Sequence, residues 1–411
     1  MTLKYPIPDD FFDVPPLKSE DVDRLRAFGC DAAQEVLEYW KFTGGPVDWT
    51  YYTQYPTATV YKAREDDLPL FLVKTEIQAT IEDVVAIFTT TTTSETRQVL
   101  GGFAPIFLDK IRVANLTLPT AQDPHFHQCL NWALTDNTLK GVIVKLRDWS
   151  FIEHDQDVIF EGRRAWIRIM KHVEIPGVID LEPKYGIIRG EYVHNGFLYI
   201  ETDRSGVLEL VAVYHVKPNG QLNSPIGEFF VSKALAGHYR AIKDTERVVR
   251  MLKLSQLYYL DPSRLQPLHS RSKCELCVKV FSRTSKKTNC RHCGKVICTS
   301  GCSDEVTLLK AGLQVKVRVC ITCCKAAHAL PLQRFYLERS EPTPTWISSD
   351  ESHMTMRDVS LNDNFSSYTG VSIHPTSSNG MIMLESSPSH IERVKQTPSH
   401  RAPFGRYTPR R

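Results

Sequence analysis

The stretch KKTNCRHCGKVIC, residues Lys286–Cys298, places three cysteines and one histidine within thirteen residues. The chain has 11 cysteines in 411 residues, and nine of them lie between Cys274 and Cys324. The amino terminus reads MTLKYP and has no apolar signal core, so secretion and structural disulfides are not expected. Clustered cysteines in such a chain are typical metal ligands, so this segment is expected to fold around metal ions.

The cysteines of this segment come mostly in pairs with two or three residues between their members. Such a pair can bend back onto one zinc ion, and four pairs can fill two tetrahedral sites of four cysteines each. Because about sixty residues with few large apolar side chains bury little surface, we expect two zinc ions to be needed for folding. The predicted ligands are Cys274, Cys277, Cys290, Cys293, Cys298, Cys302, Cys320 and Cys323, with Cys324 left open as an alternative to Cys323.

The residues around the cysteines carry a family resemblance. Phe281 follows the first pair, Cys290-Arg291-x-Cys293-Gly294 forms the second, and Arg318-Val319-Cys320 opens the last. This pattern resembles the FYVE zinc-finger family over about residues 274–324. The resemblance implies binding of phosphatidylinositol 3-phosphate on endosomal membranes, and two cross-braced zinc sites. One site would use Cys274, Cys277, Cys298 and Cys302, and the other Cys290, Cys293, Cys320 and Cys323.

Charge independently predicts an anionic partner for this segment. The whole chain has a net charge of only +3, but residues 271–325 hold twelve Lys and Arg against three acidic residues. Basic residues near an anionic leaflet contribute about 1 kcal/mol each, and arginine can hold a phosphate with two hydrogen bonds. A solvated basic face or a nucleic-acid patch is the alternative; we expect no nucleic-acid partner. The predicted head-group contacts are Lys286, Lys287, Arg291 and Arg318.

The segment departs from the family pattern at the residues that would read the lipid. Thr288 and Asn289 stand where the family has two histidines, and the aromatic-plus-aspartate motif before the first cysteine is absent. The loop expected to enter the bilayer, Arg283-Thr284-Ser285, has no bulky apolar residue. We therefore expect weaker or less selective phosphoinositide binding, or a protein partner instead.

The region before the cysteines has alternating helix and strand signals. Ser19 is a predicted cap for a helix at Val22–Trp40, and Thr80 with Asp83 predicts a capping box for a second helix. A helix is predicted near Ser94, and a long amphipathic helix, residues 226–254, closes the region. Asn195-Gly196 predicts a hairpin turn. The predicted strands are Thr57–Arg64, Phe71–Gln78, Gly141–Leu146, Ala165–Met170, Tyr185–Tyr192, Phe197–Thr202 and Leu208–Val216.

This order favours an α+β fold, with a curved antiparallel sheet around the long C-terminal helix. The sequences KLRDWSF (145–151), YGIIRGEYVHNGFLYIE (185–201) and VAVYHVKPNGQLNSPIGEFFVSKAL (211–235) resemble the steroidogenic-acute-regulatory-related lipid-transfer (START) family. The resemblance implies a helix-grip fold with a lipid or sterol in a cavity between sheet and helix. A filled core without ligand is the alternative.

The chain is therefore interpreted as a START-like unit (1–255), a linker (256–270), a FYVE-type zinc finger (271–330) and a tail (331–411). The tail is rich in Ser, Thr and Pro and is predicted to be disordered, with candidate phosphorylation sites at Ser387 and Thr397. The sequence has no run of about 20 apolar residues, so no membrane span is predicted.

Catalysis is not expected, because no GxSxG, HExxH, Walker or GxGxxG motif is present. Asp148 and Glu201 are interpreted as salt-bridged or solvated, and a metal role for His125 and His127 as a minor alternative. A cavity enzyme and a ubiquitin ligase are the remaining enzyme hypotheses. The preferred interpretation is a cytoplasmic, peripheral lipid-binding protein on endosomal or other intracellular membranes. A zinc-finger protein–protein interaction module on a START-like scaffold without ligand is the rival.

Overall fold

The computed structural model describes residues 2–103, 107–136, 145–223, 239–310, 313–332 and 382–383. Apart from Ile382–Met383, which pair with β6 (Arg147–Phe160), the predicted disordered tail lies outside the described residues after 332, as do Ser387 and Thr397. Most of the predicted strand Gly141–Leu146 and the first part of the predicted terminal helix also lie outside them. Among the described helices, none is both long and apolar enough to cross a bilayer.

One large sheet organises the region before the cysteines. Its strands run in the order β1-β2-β3-β9-β8-β7-β6-β5-β4, and each neighbouring pair is antiparallel. The predicted α+β class with an antiparallel sheet is confirmed. The strands are β1 (Thr50–Tyr55), β2 (Ala58–Glu65), β3 (Leu68–Ile77), β4 (Phe107–Thr117), β5 (His127–Thr135), β6 (Arg147–Phe160), β7 (Arg163–His172), β8 (Ile188–Glu201) and β9 (Leu208–Lys217).

Helices lie along the sheet and at its ends. The predicted terminal helix is described only from Tyr239, so its full length stays a prediction. The predicted strand from Tyr185 begins too early, because residues Glu182–Tyr185 form a short helix that ends at Gly186, where φ is +68°. The helices are α1 (Ser19–Tyr39), α2 (Ile81–Phe88), α3 (Thr93–Phe103), α4 (Glu182–Tyr185), α5 (Tyr239–Ser255) and α6 (Ile321–His328).

Helix α2 begins as its sequence predicts. The Thr80 side chain accepts a hydrogen bond from the Asp83 backbone N–H, and the Asp83 carboxylate accepts one from the Thr80 N–H. The predicted capping box is therefore confirmed. The predicted cap of α1 is wrong, because Lys18 is the N-cap, Ser19 is the first helical residue, and no side chain caps the helix.

The predicted hairpin turn at Asn195-Gly196 is also wrong. Both residues lie inside β8, which pairs with β7 on one side and β9 on the other. A Cβ on Gly196 would come within 3.0 Å of Ile169 Cγ2 and 3.3 Å of the Trp40 ring. Glycine is therefore placed here for close packing in a strand, and tertiary pairing overrides the local turn signal.

The two faces of the sheet are covered differently. One face, here called the outer face, packs against α1, whose buried residues include Val36 and Leu37. The other, the inner face, packs against α2 and α5, with Val248 and Val249 of α5 fully buried. Because both faces are covered, β5, β6 and β9 are buried along nearly their whole length.

The cysteine-rich segment forms two small hairpins and one helix, α6. Strand β10 (Lys287–Asn289) pairs with β11 (Val296–Cys298), and β12 (Ser303–Lys310) pairs with β13 (Leu313–Cys320). Its compact core contains five of the cysteines as buried residues and also Leu254 from the end of α5.

Candidate functional sites

The first group of four cysteines has two members before β10 and two between the end of β11 and the start of β12. Cys274 and Cys277 lie in the turn before β10, Cys298 ends β11, and Cys302 precedes β12. Their Sγ atoms lie within 4.8 Å of one another, and the Cys277 and Cys298 sulfurs are 3.9 Å apart. Two Zn–S bonds of about 2.3 Å at the tetrahedral angle separate their sulfurs by about 3.8 Å, so this group fits a zinc ion.

The second group has the same geometry. Cys290 and Cys293 form the turn between β10 and β11, while Cys320 ends β13 and Cys323 lies in the first turn of α6. Their sulfurs also lie within 4.8 Å of one another, with 4.0 Å between those of Cys293 and Cys320. This spacing again matches the edge of a ZnS₄ tetrahedron.

Backbone N–H groups point at the thiols. The N–H groups of Leu276 and Cys298 each donate to Cys274 Sγ over 3.4 Å, and the Cys320 N–H donates to Cys290 Sγ over 3.3 Å. Burial raises the pKa of Cys274, but the backbone donors around it outweigh burial and bring that pKa to about 6. At Cys274 the thiolate, which is the metal-binding form, is therefore favoured.

The two groups use alternating pairs along the chain, as a cross-braced fold requires. The structure brings together the eight predicted ligands in the two predicted sets. Cys324 belongs to neither set, and its Sγ instead lies 3.9 Å from a guanidinium nitrogen of Arg250. The geometry therefore favours Cys323 over Cys324 as the last ligand.

The four predicted head-group contacts are not equally available. Lys286 is exposed, whereas the Lys287 ammonium donates to the Arg271 carbonyl over 2.6 Å and lies 5.2 Å from the centre of the Phe281 ring. The Arg291 guanidinium donates to the Leu260 carbonyl over 3.0 Å. Arg318 lies beside Arg291, because its carbonyl accepts the Arg291 N–H, and its guanidinium is 3.8 Å from Glu305.

The residues that replace the two family histidines have structural contacts. The Asn289 side chain donates to the Gln266 carbonyl over 2.9 Å and to the Gly294 carbonyl over 3.2 Å. Asn289 therefore ties the chain before the first cysteine to the second zinc turn. Thr288 is half-buried in β10 between Lys287 and Asn289.

An exposed apolar pair lies just before the loop that has no bulky apolar residue. Val278 and Val280 are 66% and 63% exposed, although valine is among the residue types most often buried. Phe281 follows Val280 in the chain, and the Lys287 ammonium lies over its ring. The sequence VKV at 278–280, two valines around a lysine, is the signal that could have revealed this surface.

A second candidate site is a cluster of buried charges on the inner face of the sheet. Glu153 of β6 lies 2.8 Å from the Lys110 ammonium and 2.8 Å from the Arg168 guanidinium, and Arg112 is 3.9 Å away. Burial alone would raise the pKa of Glu153, but the three surrounding cations hold it well below its usual range. Glu153 is therefore ionised inside the protein.

Not every polar atom of this cluster has a partner among the described residues. Both carboxylate oxygens of Asp155 and the Asn131 side-chain oxygen are buried without a hydrogen bond. Burial raises the pKa of Asp155 to about 7. Sequence reasoning missed this cluster, although charged residues two apart in β4 and β6 (Lys110 and Arg112, Glu153 and Asp155) are unusual for buried strands.

The remaining predicted residues have ordinary structural contacts. Asp148 pairs with Arg189 over 2.8 Å, and Glu201 with Arg164 over 3.0 Å. His127 begins β5, and its ring lies 3.0 Å from the side chain of Asn115 in β4. Within the described residues, neither His125 nor His127 belongs to a group that could hold a metal.

Residues 264–329 match the family model of the FYVE zinc finger. This part of the chain is 43% identical over 61 residues to RUN and FYVE domain-containing protein 2 of Homo sapiens. Those 61 residues are 15% of this chain and 9% of that protein. It is 36% identical over 61 residues to Rabankyrin-5 of Mus musculus, 15% of this chain and 5% of that protein. The chain thus spans less than a tenth of the length of these curated relatives. The segment is a FYVE-type zinc finger, and the predicted two zinc ions are confirmed.

Solved structures similar to the region before the cysteines include one human lipid transfer protein and human STARD10. Human StAR-related lipid transfer protein 5 is 14% identical, with 56% of this chain and 97% of that chain covered and a TM-score of 0.40. Human STARD10 is 12% identical, with 57% and 81% covered and a TM-score of 0.39. At these TM-scores, the START-like ligand cavity stays a prediction.

Proposed function

We propose that this chain is a non-catalytic lipid-binding protein with two lipid contacts. Its FYVE-type zinc finger would bring it to phosphoinositide-bearing membranes, with a preference for endosomal ones. Its α+β unit would hold a hydrophobic ligand. The observation that carries the proposal is the pair of four-cysteine sites within the FYVE-matching residues 264–329. Zinc of this kind is structural, so the function lies on the surface that the two ions hold in shape.

Charge and apolar exposure support membrane contact on that surface. Lys286 and Lys287 lie at the start of β10, and the exposed Val278 and Val280 precede Phe281, whose ring Lys287 covers, in the chain. Basic residues are attracted to an anionic leaflet, and exposed valines lose water contact on entering its interface. This surface therefore has both features of a peripheral membrane contact.

Selectivity for one phosphoinositide is expected to be low. Asn289 and Arg291, which follow the basic pair, already bind backbone carbonyls of Gln266 and Leu260. A phosphate would have to compete with those hydrogen bonds. We therefore expect binding to depend on anionic charge and on the two valines more than on the position of one phosphate.

Liposome co-sedimentation of the zinc-loaded protein tests the membrane proposal. Vesicles would carry phosphatidylinositol 3-phosphate, another phosphoinositide at equal charge, or neutral lipid alone. We expect K286A/K287A and V278S/V280S to reduce binding about ten-fold, and K316A, an exposed lysine of β13, to leave it nearly unchanged. Binding that is equal in all four proteins, or absent from every anionic vesicle, would reject the proposal.

The buried polar cluster supports a ligand on the inner face of the sheet. A hydrophobic ligand with a polar end could give the Asp155 carboxyl and the Asn131 oxygen the hydrogen bonds they lack among the described residues. Aromatic side chains on the same face, Tyr192, Tyr199 and Trp166, are buried around it. Extraction of the purified protein followed by mass spectrometry should detect one class of bound lipid, reduced in N131A/D155A. No lipid in the wild-type extract would favour a filled core.

A protein partner is the second candidate for the zinc finger. The observation that favours it is the use of Asn289 and Arg291 in contacts within the chain, which leaves fewer groups for a head group. In that case the wild-type protein binds none of the vesicles but remains folded and zinc-loaded.

A further inference from the structure

Glu65, His194 and His215 converge on the outer face of the sheet, far along the chain from the cysteines. Glu65 ends β2, and His194 and His215 are directly opposite one another on β8 and β9. One ligand atom from each of the three side chains lies within 4.8 Å of the other two. Three strands therefore bring two imidazoles and one carboxylate to a single point.

The distances suit a metal ion. Glu65 Oε2 lies 3.5 Å from His194 Nε2 and 3.5 Å from His215 Nδ1. These separations are too long for hydrogen bonds. Two metal–ligand bonds of about 2.1 Å at the tetrahedral angle separate their ligand atoms by about 3.4 Å, which matches the observed spacing.

The two histidines are poorly satisfied by the surrounding protein. His215 is only 1% exposed, and within the described residues neither of its ring nitrogens has a hydrogen-bond partner. Nδ1 of His194 also has none among those residues. Burial lowers the pKa of both histidines to about 4, so neither forms a charged pair with Glu65 near neutral pH. A neutral imidazole is the form that binds a metal.

Residues of α1 supply outer contacts of the type that metal sites have. The Tyr39 hydroxyl is 2.6 Å and 2.7 Å from the two oxygens of Glu65, and its ring stacks on His194 at 4.1 Å. The Glu35 carboxylate lies 3.8 Å from His194 Nδ1, the nitrogen that faces away from Glu65. Ligating histidines commonly direct their second ring nitrogen to a carboxylate, which orients the ring.

We propose that Glu65, His194 and His215 bind one divalent transition-metal ion, in addition to the two zinc ions of the cysteine sites. Two imidazoles and one carboxylate suit Zn²⁺ or a neighbouring first-row ion and leave one coordination position for water. The ion would join β2, β8 and β9 and fix the carboxyl end of α1 through Tyr39.

Metal content and Co²⁺ binding of the full-length, tag-free protein test this site. We expect three zinc ions per wild-type chain and two in H194Q/H215Q. After mild chelation that leaves the cysteine sites filled, added Co²⁺ should give visible ligand-field bands without a thiolate charge-transfer band. E65Q, which keeps an acceptor for Tyr39, should weaken Co²⁺ binding more than about 100-fold, because loss of a ligand exceeds loss of an outer contact. Y39F should weaken it about ten-fold.

H154Q is the matched control, because His154 is buried in β6 and hydrogen-bonded to Gln128 and Gln156, outside the cluster. It should bind Co²⁺ as the wild type does. Two zinc ions per wild-type chain with no Co²⁺ bands would overturn the proposal. Equal Co²⁺ affinity of E65Q and the wild type would also overturn it, and circular dichroism of each variant separates lost binding from lost folding.

Discussion

Cys323 and Cys324 are adjacent in sequence, yet only one thiol faces the second zinc site. Cys323 lies within 4.8 Å of the other three sulfurs, whereas Cys324 approaches Arg250. We expect C323S to lower the zinc content by at least one ion per chain, because a four-thiolate site that loses one ligand loses much of its affinity. C324S is the control and should retain wild-type zinc content by elemental analysis. Zinc loss in C324S but not in C323S would contradict the assignment.

The residues of the zinc sites could be predicted from sequence because their pairing is local. The two cysteines of each pair have two or three residues between them, so spacing alone limits which thiols can share an ion. The cluster around Glu153 could not be predicted in the same way. Its charged members come from three strands, β4, β6 and β7, and only the sheet order brings Lys110 and Arg168 to one carboxylate.

Asp155 predicts a pH dependence of stability. Burial raises its pKa to about 7, above the value of about 3.9 expected in the unfolded chain. The folded state therefore binds more protons than the unfolded state between about pH 4 and pH 7, and the free energy of unfolding falls as pH rises through this window. The loss is up to about 1.4 kcal/mol for each pH unit.

D155N removes this titration, so its stability relative to the wild type should increase from pH 5 to pH 8. Urea unfolding at the two pH values measures the change. No such gain in D155N would argue against a protonated Asp155.

At the scale of elements, local signals succeeded where the determining contacts are local. Thr80 and Asp83 are three residues apart, and their capping box forms as predicted. The turn predicted at Asn195-Gly196 failed because the contacts that decide β8 lie on β7 and β9. The folding of a strand inside a sheet depends on partners that its own sequence does not identify.

Gly196 gives a test of this explanation. A Cβ there would lie 3.0 Å from Ile169 Cγ2 and 3.1 Å from the Arg168 carbonyl, so we expect G196A to lower the free energy of unfolding by about 1–3 kcal/mol. G162N is the control, since Gly162 lies in a turn at φ +75° with open space around it, and asparagine tolerates that backbone. Chemical denaturation in which G196A matches G162N would show that the strand can absorb the methyl group.

At the scale of the whole molecule, the end of α5 joins the sheet to the zinc finger. The Lys253 ammonium lies 2.7 Å from the buried Asp83 carboxylate of α2 and donates to the His328 carbonyl of α6 over 2.9 Å. Ser255 accepts a hydrogen bond from the Leu309 N–H over 2.8 Å, and its carbonyl accepts one from Lys310. The predicted domain boundary at residue 255 thus falls where the described contacts between the two parts are concentrated.

These contacts predict that the two parts unfold together. Five of the six tryptophans lie before residue 255, so in a W346F background tryptophan fluorescence reports the sheet and zinc release to a coloured chelator reports the zinc finger. We expect the two thermal midpoints to coincide in that background and to separate in S255A, which leaves the Leu309 N–H without its acceptor at a cost of about 1–3 kcal/mol. R250A removes an exposed ion pair with Asp304, worth about 1 kcal/mol or less, and the long contact with Cys324 Sγ, and it should keep the midpoints together. Separate midpoints already in the W346F background would mean that the zinc finger is tethered to the sheet rather than docked on it.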